Sequence, residues 1–464
     1  MLDRTAKLLP PAPVPRAKPL GPLGLARALL DNPLEAWTEA HFNEPVVMGG
    51  LPLVRVAVIS DPAAIKRVLL DNCDNYKKDW VQRRILSAGL SDGLLTAETM
   101  KWRMQRRALA PLFSPKAVAR FSGAMIEAAA SLVERLRRQR GEVVDIAVEI
   151  TRLSLDVLER TIFSEGLGDD PEEIRKGMKS YFDAIGQIDP FDLLGLPASM
   201  PRLGRLKARP ALRLFNTAID AIIARRRQSL AESPDSVPHD LLTLLLRARD
   251  PETGAKLGEE DVRSNILTFI AAGHETTANC LTWSVFLLSQ SPEWRERVRL
   301  EAEREFDGTT DGLADRLVET RAVLDEANRL YPPITAISRA AGAPDELAGH
   351  AIKAGTMIVI APYVLQRHRR LWDDPNRFEP ARFLNGARDT IARFAYLPFG
   401  AGPRTCIGAS FAMQEASIVL ATLMRNFRLD LLPGHKVWPV QRVSLRPKGG
   451  LPMIVNEARR PRRN

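Results

Sequence analysis

The sequence predicts a mainly α fold (α+β), with a large helical domain and a small β-sheet region towards its N-terminal side. Three observations carry that expectation. Helical patterns far outnumber strand patterns along the 464 residues. One stretch, from about Glu259 to Ser289, is apolar nearly all round between Ile266 and Leu288; at about 1.5 Å per residue it makes a buried helix long enough to cross a domain. Strand-like runs are few and short, around Val46 to Ser60 and Met357 to Ile360.

Apolar content of 45% with 26% charged residues is that of an ordinary globular chain. Length alone would allow several domains, yet no long polar linker interrupts the chain, so a proline-rich lead (1–34), one domain (35–455) and a basic tail (456–464) are expected. The net charge is +10, and the tail Arg459-Arg460-Pro461-Arg462-Arg463 supplies four of those charges on a stretch expected to be disordered. No zinc-finger spacing, P-loop or RNA-binding aromatic box accompanies the excess, so no nucleic-acid partner is expected. A solvated basic surface, or a docking face for an acidic protein, accounts for it instead. Cys73, Cys280 and Cys406 are few, unclustered and odd in number, which speaks against a disulfide framework and for a reducing cytoplasm. No N-terminal apolar run approaches the length of a spanning helix or a signal core, so no membrane anchor is expected, and the protein is expected to be a monomer.

In chain order, Val46 to Ser60 reads as two strands around Gly49-Gly50, followed by a helix from about Pro62 to Leu70. From Tyr76 to Thr96 the pattern is loop-like, with Ile85, Leu86, Leu90, Leu94 and Leu95. A basic helix follows, placing Trp102 and Arg106 on one face, four residues apart. Helical patterns then run from about Phe121 to Arg249, broken at Gly166 to Pro171, Asp189 to Pro210 and Pro234 to Pro238. In the middle of the long helix, Ala271-Ala272-Gly273-His274-Glu275-Thr276-Thr277 inserts glycine and polar groups at a buried position, a conflict of local rule and place that marks a functional site. Thr276 can bond back to the Ala272 carbonyl and open a groove there. Glu-x-x-Arg spacings occur at Glu134/Arg137, Glu172/Arg175, Glu296/Arg299, Glu301/Arg304 and Glu326/Arg329, most of which read as exposed pairs. His368 reads as structural, and no H-E-x-x-H or C-x-x-C competes for a metal.

Towards the end lies Tyr396-Leu-Pro-Phe399-Gly400-Ala-Gly402-Pro-Arg404-Thr-Cys406-Ile-Gly408, followed by an apolar helical pattern from Ala409 to Met424. Cys406 therefore sits on a glycine-punctuated turn at or just before a helix N-terminus, where outward N–H groups and the dipole favour a thiolate. A nucleophile, a metal or haem ligand, and a structural thiol all remain open on that ground alone.

Phe399-Gly400-x-Gly402-x-Arg404-x-Cys406-x-Gly408 resembles the haem-binding loop of the cytochrome P-450 family. The resemblance runs from about residue 35 to residue 455 over five motifs. It implies heme b (iron protoporphyrin IX) with Cys406 as proximal iron ligand, Phe399 near the sulfur, and Arg404 on a haem propionate where many soluble bacterial members carry histidine. Trp102 and Arg106 resemble the family's W-x-x-x-R and Arg339 a further arginine, all reaching propionates. Ala272 to Thr277 resembles its A-G-x-E-T-T segment, assigning Glu275 and Thr276 to proton delivery with molecular oxygen as co-substrate. Glu326, Arg329 and Arg382, the last in a P-x-R-F-like stretch, are implied to form a buried network behind the haem. By the same resemblance the loop around Ile85 and Leu86, the lid near residues 189–210, Phe269, Ala272, Ile334 and Ile337 line an apolar substrate pocket.

The expected function is a haem-thiolate monooxygenase acting on an apolar molecule such as a fatty acid or terpenoid. The chain is too short after the haem loop for a fused flavin or iron–sulfur domain, so electrons are expected from a ferredoxin or flavodoxin with its NAD(P)H reductase, docking on a basic face that includes Arg103 or Arg107. A peroxide-driven peroxygenase and a non-catalytic haem sensor are the alternatives; neither needs Glu275-Thr276.

Overall fold

The structure, a computed structural model, describes residues 8–51, 54–79, 82, 92–164, 166, 203–306, 308–310 and 312–458. Ile85, Leu86, most of the expected lid and the arginines of the tail lie outside them, while Asn456 and Glu457 of the expected tail end strand Pro452–Glu457. The chain divides into two compact units. The first comprises Met1–Asp79, Met125–Leu153 and Thr276–Asn464, the second Trp80–Ala124 and Ser154–Glu275.

In the first unit a five-stranded sheet has the order Val46–Leu51, Val54–Ile59, Met357–Ile360, Ile337–Ala341, Tyr76–Lys77. Val54–Ile59 runs parallel to Met357–Ile360 and the other pairings are antiparallel. Alternation buries Ile358 and Ile360 with Ala57, Ile59, Ile65 and Leu365 in one core. Gly49 and Gly50 are not the hairpin turn that the sequence suggests. They lie within the first strand opposite Val56 and Arg55, and Gly50 takes φ +147° where a Cβ would meet the Val54 carbonyl oxygen at 2.1 Å. A second sheet orders Val143–Asp145, Pro452–Glu457 and Phe427–Leu431.

The lead is tied to this unit, because Phe378 N–H donates to Leu8 O at 3.0 Å and Tyr331 Oη to Pro11 O at 2.7 Å. Helix Val318–Leu330 is buried from Ala322 to Leu330. Its last turn leads into Tyr331, which stacks on Trp283 with ring centroids 3.8 Å apart.

The second unit holds helices Thr99–Leu109, Leu203–Glu232 and Leu241–Arg247. Pro210 lies inside Leu203–Glu232, so the break expected to extend to Pro210 ends earlier. Buried Arg226 donates to Asp240 at 2.6 Å and Thr243 at 2.7 Å. Gly93 packs against the long helix so closely that a Cβ would meet the Ser264 carbonyl oxygen at 2.6 Å, and Leu94 N–H donates to Asn265 Oδ1 at 2.9 Å. The long helix itself runs unbroken from Glu259 to Gln290, through Gly273.

No described helix is long and apolar enough to cross a membrane.

Candidate active site

The cysteine loop is shaped by two glycines with positive φ, Gly400 at +69° and Gly402 at +72°. Gly400 N–H donates to Leu397 O at 3.2 Å, Thr405 N–H to Gly402 O at 3.1 Å, and Cys406 N–H to Phe399 O at 2.9 Å. These short bonds turn the chain so that Cys406 is exposed, just before the 18-residue helix Ala409–Asn426 whose N-cap is Gly408. Arg404 is half-buried on the single turn Gly402–Arg404.

The other thiols differ. Cys280 is 5% exposed and burial, then the Asp325 carboxylate, pushes its thiol up to about 12, which makes it inert at neutral pH. Cys73 is half-buried. No cluster of three or more His, Cys, Asp or Glu capable of holding a metal occurs among the described residues. An exposed thiol ahead of a helix N-terminus, on a loop with little side-chain bulk, fits a single axial donor to a haem.

Glu326 and Arg329 lie at the C-terminal end of Val318–Leu330, both with fully buried side chains. Arg329 is bidentate to Glu326, Nε to Oε2 at 2.6 Å and Nη2 to Oε1 at 2.8 Å. Its remaining donors reach the carbonyls of Gln366 at 2.8 Å, Pro375 at 2.7 Å and Arg377 at 2.9 Å. Glu326 also accepts Glu379 N–H at 2.8 Å. Fork geometry and full satisfaction are what a buried pair needs to offset desolvation. Arg382 is a looser member than the sequence implies: its Nε stands 3.7 Å from Glu326 Oε1 and has no hydrogen-bond acceptor, while Nη2 is held by Asp374 O at 3.1 Å.

Of the other Glu-x-x-Arg spacings, Glu134/Arg137 is the exposed pair expected. Glu301 is instead buried, accepting Glu319 N–H at 2.7 Å and Thr320 N–H at 2.8 Å. It caps a helix that starts far along the chain.

Sequence reasoning missed Gln366. Fully buried, it donates from Nε2 to the carbonyls of Asn328 at 2.9 Å and Arg329 at 3.1 Å, and accepts Leu397 N–H at 2.9 Å. One amide thereby joins the Glu326/Arg329 helix to the start of the cysteine loop. No spacing or motif marks it; a glutamine amid apolar residues before Arg367-His368 is the only sequence sign. His368 is buried, its Nε2 3.2 Å from Glu44 O, in a structural place.

Arg339 is half-buried on strand Ile337–Ala341, with Nη1 donating to Ser338 O at 2.7 Å. In the second unit Trp102 and Arg106 are both half-buried on Thr99–Leu109. Arg107, expected on a docking face, is consumed internally: it is bidentate to buried Asp250 at 2.8 and 2.6 Å and also pairs with Glu252 at 3.0 Å. Arg107 holds the Asp250 carboxyl well below the usual carboxylate range. Arg103 is exposed.

Along the long helix every residue from Ser264 to Ile270 and from Thr277 to Leu288 is buried, yet Ala272 is exposed and Ala271, Gly273, Glu275 and Thr276 are half-buried. Ala272, Glu275 and Thr276 fall on one face, so an apolar methyl, a carboxylate and a hydroxyl share one strip that is less buried than the helix on either side. Gly273 faces Leu158, whose methyls lie 3.4 Å from where its Cβ would sit. His274 is buried with Nδ1–H donating to Ile270 O at 2.8 Å, and burial pulls its pKa down.

Phe269 is buried edge-on against Phe113 at 4.9 Å, within the core of the second unit. Ile337 packs on the sheet core and lies 3.7 Å from where a Cβ of Gly400 would sit. Ile334 is 42% exposed.

The family model described as Cytochrome P450 matches residues 21–453. The chain is 32% identical to the cyclooctat-9-en-7-ol 5-monooxygenase of Streptomyces melanosporofaciens, over 89% of this chain and 88% of that one. It is 34% identical to the pentalenene oxygenase of Streptomyces avermitilis, over 75% and 76%. It also matches the bifunctional cytochrome P450/NADPH--P450 reductase 2 of Bacillus subtilis at 30% identity, over 94% of this chain and 42% of that protein. Among solved structures, the crystal structure of the cytochrome P450DA heme domain superposes with a TM-score of 0.83 at 26% identity, covering 97% of this chain and 98% of the other. The chain therefore belongs to the cytochrome P450 family, and it is a haem-dependent, oxygen-using cytochrome P450 monooxygenase.

Proposed function

We propose that this monooxygenase carries heme b on the Cys406 thiolate, oxidises an apolar terpenoid in a reducing cytoplasm, and draws electrons from a separate ferredoxin or flavodoxin served by an NAD(P)H reductase. When bound, the haem supplies the oxidising power that sends one atom of dioxygen into substrate and the other into water. The chain's own residues hold, orient and deliver protons. Cys406 sits where N–H groups and a helix dipole favour its anionic form. Arg339, Arg404, Trp102 and Arg106 are the charge-assisted and polar donors suited to the cofactor's carboxylates. Phe399 fixes the Cys406 amide through its carbonyl.

The observation that carries the reading is the face of Ala272, Glu275 and Thr276, exposed or half-buried between the buried runs Ser264 to Ile270 and Thr277 to Leu288. A hydroxyl one residue from a carboxylate can hold a proton at Thr276 Oγ1 and replenish it from Glu275, beside the small apolar side chain of Ala272 against which substrate can lie. A peroxygenase or a haem sensor has no use for that pair. The names of the two Streptomyces relatives support terpenoids over fatty acids. Net charge of +10 supports an acidic donor, received by exposed Arg103 and not by Arg107. The Bacillus relative's name makes an NADPH--P450 reductase the natural second donor to try.

The test is a substrate-shift screen of haem-loaded protein across terpenes, fatty acids and steroids, followed by turnover with ferredoxin and reductase against turnover with peroxide alone. Shift and product with a terpene under donor-driven conditions are expected. Product with peroxide but none with any reduced donor would overturn the reading.

A further inference from the structure

Arg367 is 3% exposed and carries a permanent positive charge. Its contacts are poor for a buried guanidinium. Nη1 reaches Tyr363 O at 3.4 Å, and the guanidinium carbon lies over the rings of Tyr363 at 4.2 Å and Tyr331 at 5.6 Å. Nε has no hydrogen-bond acceptor, and no carboxylate stands within ion-pair range among the described residues.

The nearest help is Glu326, which acts on Arg367 only through space and whose oxygens are taken by Arg329 and by Glu379 N–H. Around Glu326, the buried guanidiniums of Arg329 and Arg367 thus share one buried carboxylate. Two buried hydroxyls, one on the turn before Arg367 and one on a residue bonded to that turn, also lack partners. Tyr363 Oη, on a residue 1% exposed, has no partner, nor has Thr335 Oγ1, on a residue 2% exposed whose carbonyl accepts Tyr363 N–H at 3.4 Å. Tyr331 Oη is already committed to Pro11 O of the lead.

A buried cation without a counter-charge is costly, and a buried hydroxyl without a partner costs further. A bridging water can satisfy the hydroxyls, which accept as well as donate, but it leaves the positive charge of Arg367 uncompensated. An acceptor with negative charge satisfies both deficits.

We propose that Arg367, Tyr363 and Thr335 form a buried site for one small monovalent anion of the halide class, beneath the N-terminal lead, which neutralises Arg367 and helps lock the helix Val318–Leu330 and the segment after strand Met357–Ile360 in place. The anion is structural and takes no part in turnover.

The haem-loaded full chain is unfolded thermally in sodium bromide, sodium chloride and sodium gluconate at constant ionic strength. Bromide and chloride should raise the midpoint saturably by about 1 to 3 °C relative to gluconate, as binding to the folded state alone requires. Tyr363→Phe removes one donor without exposing a charge, and should raise the half-saturating bromide concentration several-fold. Arg367→Met removes the cation itself and should abolish the dependence. Crystals grown in bromide should give an anomalous peak within hydrogen-bond reach of Arg367 Nε. Equal midpoints in halide and gluconate overturn the proposal, as does a halide effect of unchanged midpoint and strength in Tyr363→Phe. These readouts do not involve substrate, so they stand apart from the terpenoid reading.

Discussion

A Cβ on Gly402 would lie 1.8 Å from the carbonyl oxygen of Leu69, closer than any side chain can stand to backbone. The cysteine loop therefore leans directly on the π-helical turn Arg67–Asp71, and Gly402 is demanded twice, by that contact and by its φ of +72°. Gly402→Ala should displace one segment or the other. Strain in the left-handed region is worth about 1 to 3 kcal/mol before the clash is counted, so lower haem content and a lower unfolding midpoint are expected. Gly408 has φ −85°, and a Cβ there would sit 4.0 Å from Cys406 Sγ. Gly408→Ala should accordingly fold and shift only the haem absorption; equal damage from both substitutions would contradict the contact.

Cys406 is the exposed thiol ahead of a helix, whereas Cys280 is buried and held protonated. Reduced protein with carbon monoxide should show the red-shifted Soret band of thiolate ligation. Cys406→His should abolish the band while Cys280→Ser and Cys73→Ser keep it. Loss of the band in either serine variant, with retention in Cys406→His, would reverse the assignment.

Thr276 is half-buried on the less buried strip of the long helix. Thr276→Ala should leave haem content and substrate shift nearly unchanged, since neither needs the hydroxyl. A positioned proton donor is worth roughly 10²- to 10⁴-fold, so product per reductant consumed should fall and hydrogen peroxide should appear. A ratio equal to the parent's would make the polar insertion structural.

Glu326 carries the charge balance for Arg329, with both groups fully buried. Glu326→Gln keeps the shape and strands the guanidinium, which typically costs about 3 to 5 kcal/mol. Arg382→Gln should cost clearly less, because its Nε is 3.7 Å from the carboxylate. Denaturant midpoints of the two variants decide the order.

Asp345 accepts from Arg67 Nη2 at 2.7 Å, Tyr76 Oη at 2.7 Å and Asn72 Nδ2 at 3.1 Å. The Arg67 hydrogen bond, ahead of those from Tyr76 and Asn72 and against the opposing effect of burial, holds its carboxyl well below the usual carboxylate range. A folded-state value below the unfolded one means that the stabilisation is complete above the unfolded pKa of about 4 and is lost as pH falls towards the folded value. Asp345→Asn should lower the midpoint at pH 7 and flatten the acid limb below about pH 4; an unchanged acid limb would show that the cluster titrates without consequence. Arg67 is half exposed, so salt should weaken the effect.

Local chemistry was legible in the sequence. Glycines at Gly400 and Gly402 announce a tight turn because only glycine tolerates positive φ cheaply, and Ala409 to Met424 announces the helix that follows by its period. The long helix was legible to within a residue at its C-terminal end, since nothing but length and continuous apolarity defines it. Partners were not. That Glu301 caps a helix, that Gln366 ties Asn328 and Arg329 to Leu397, that Arg107 is consumed by Asp250, and that Phe269 packs edge-on against Phe113 all depend on segments meeting from distant parts of the chain. Residue spacing reports the face a side chain occupies within its own element, while the burial that decides whether a charge is paired, stranded or free is created only when elements pack.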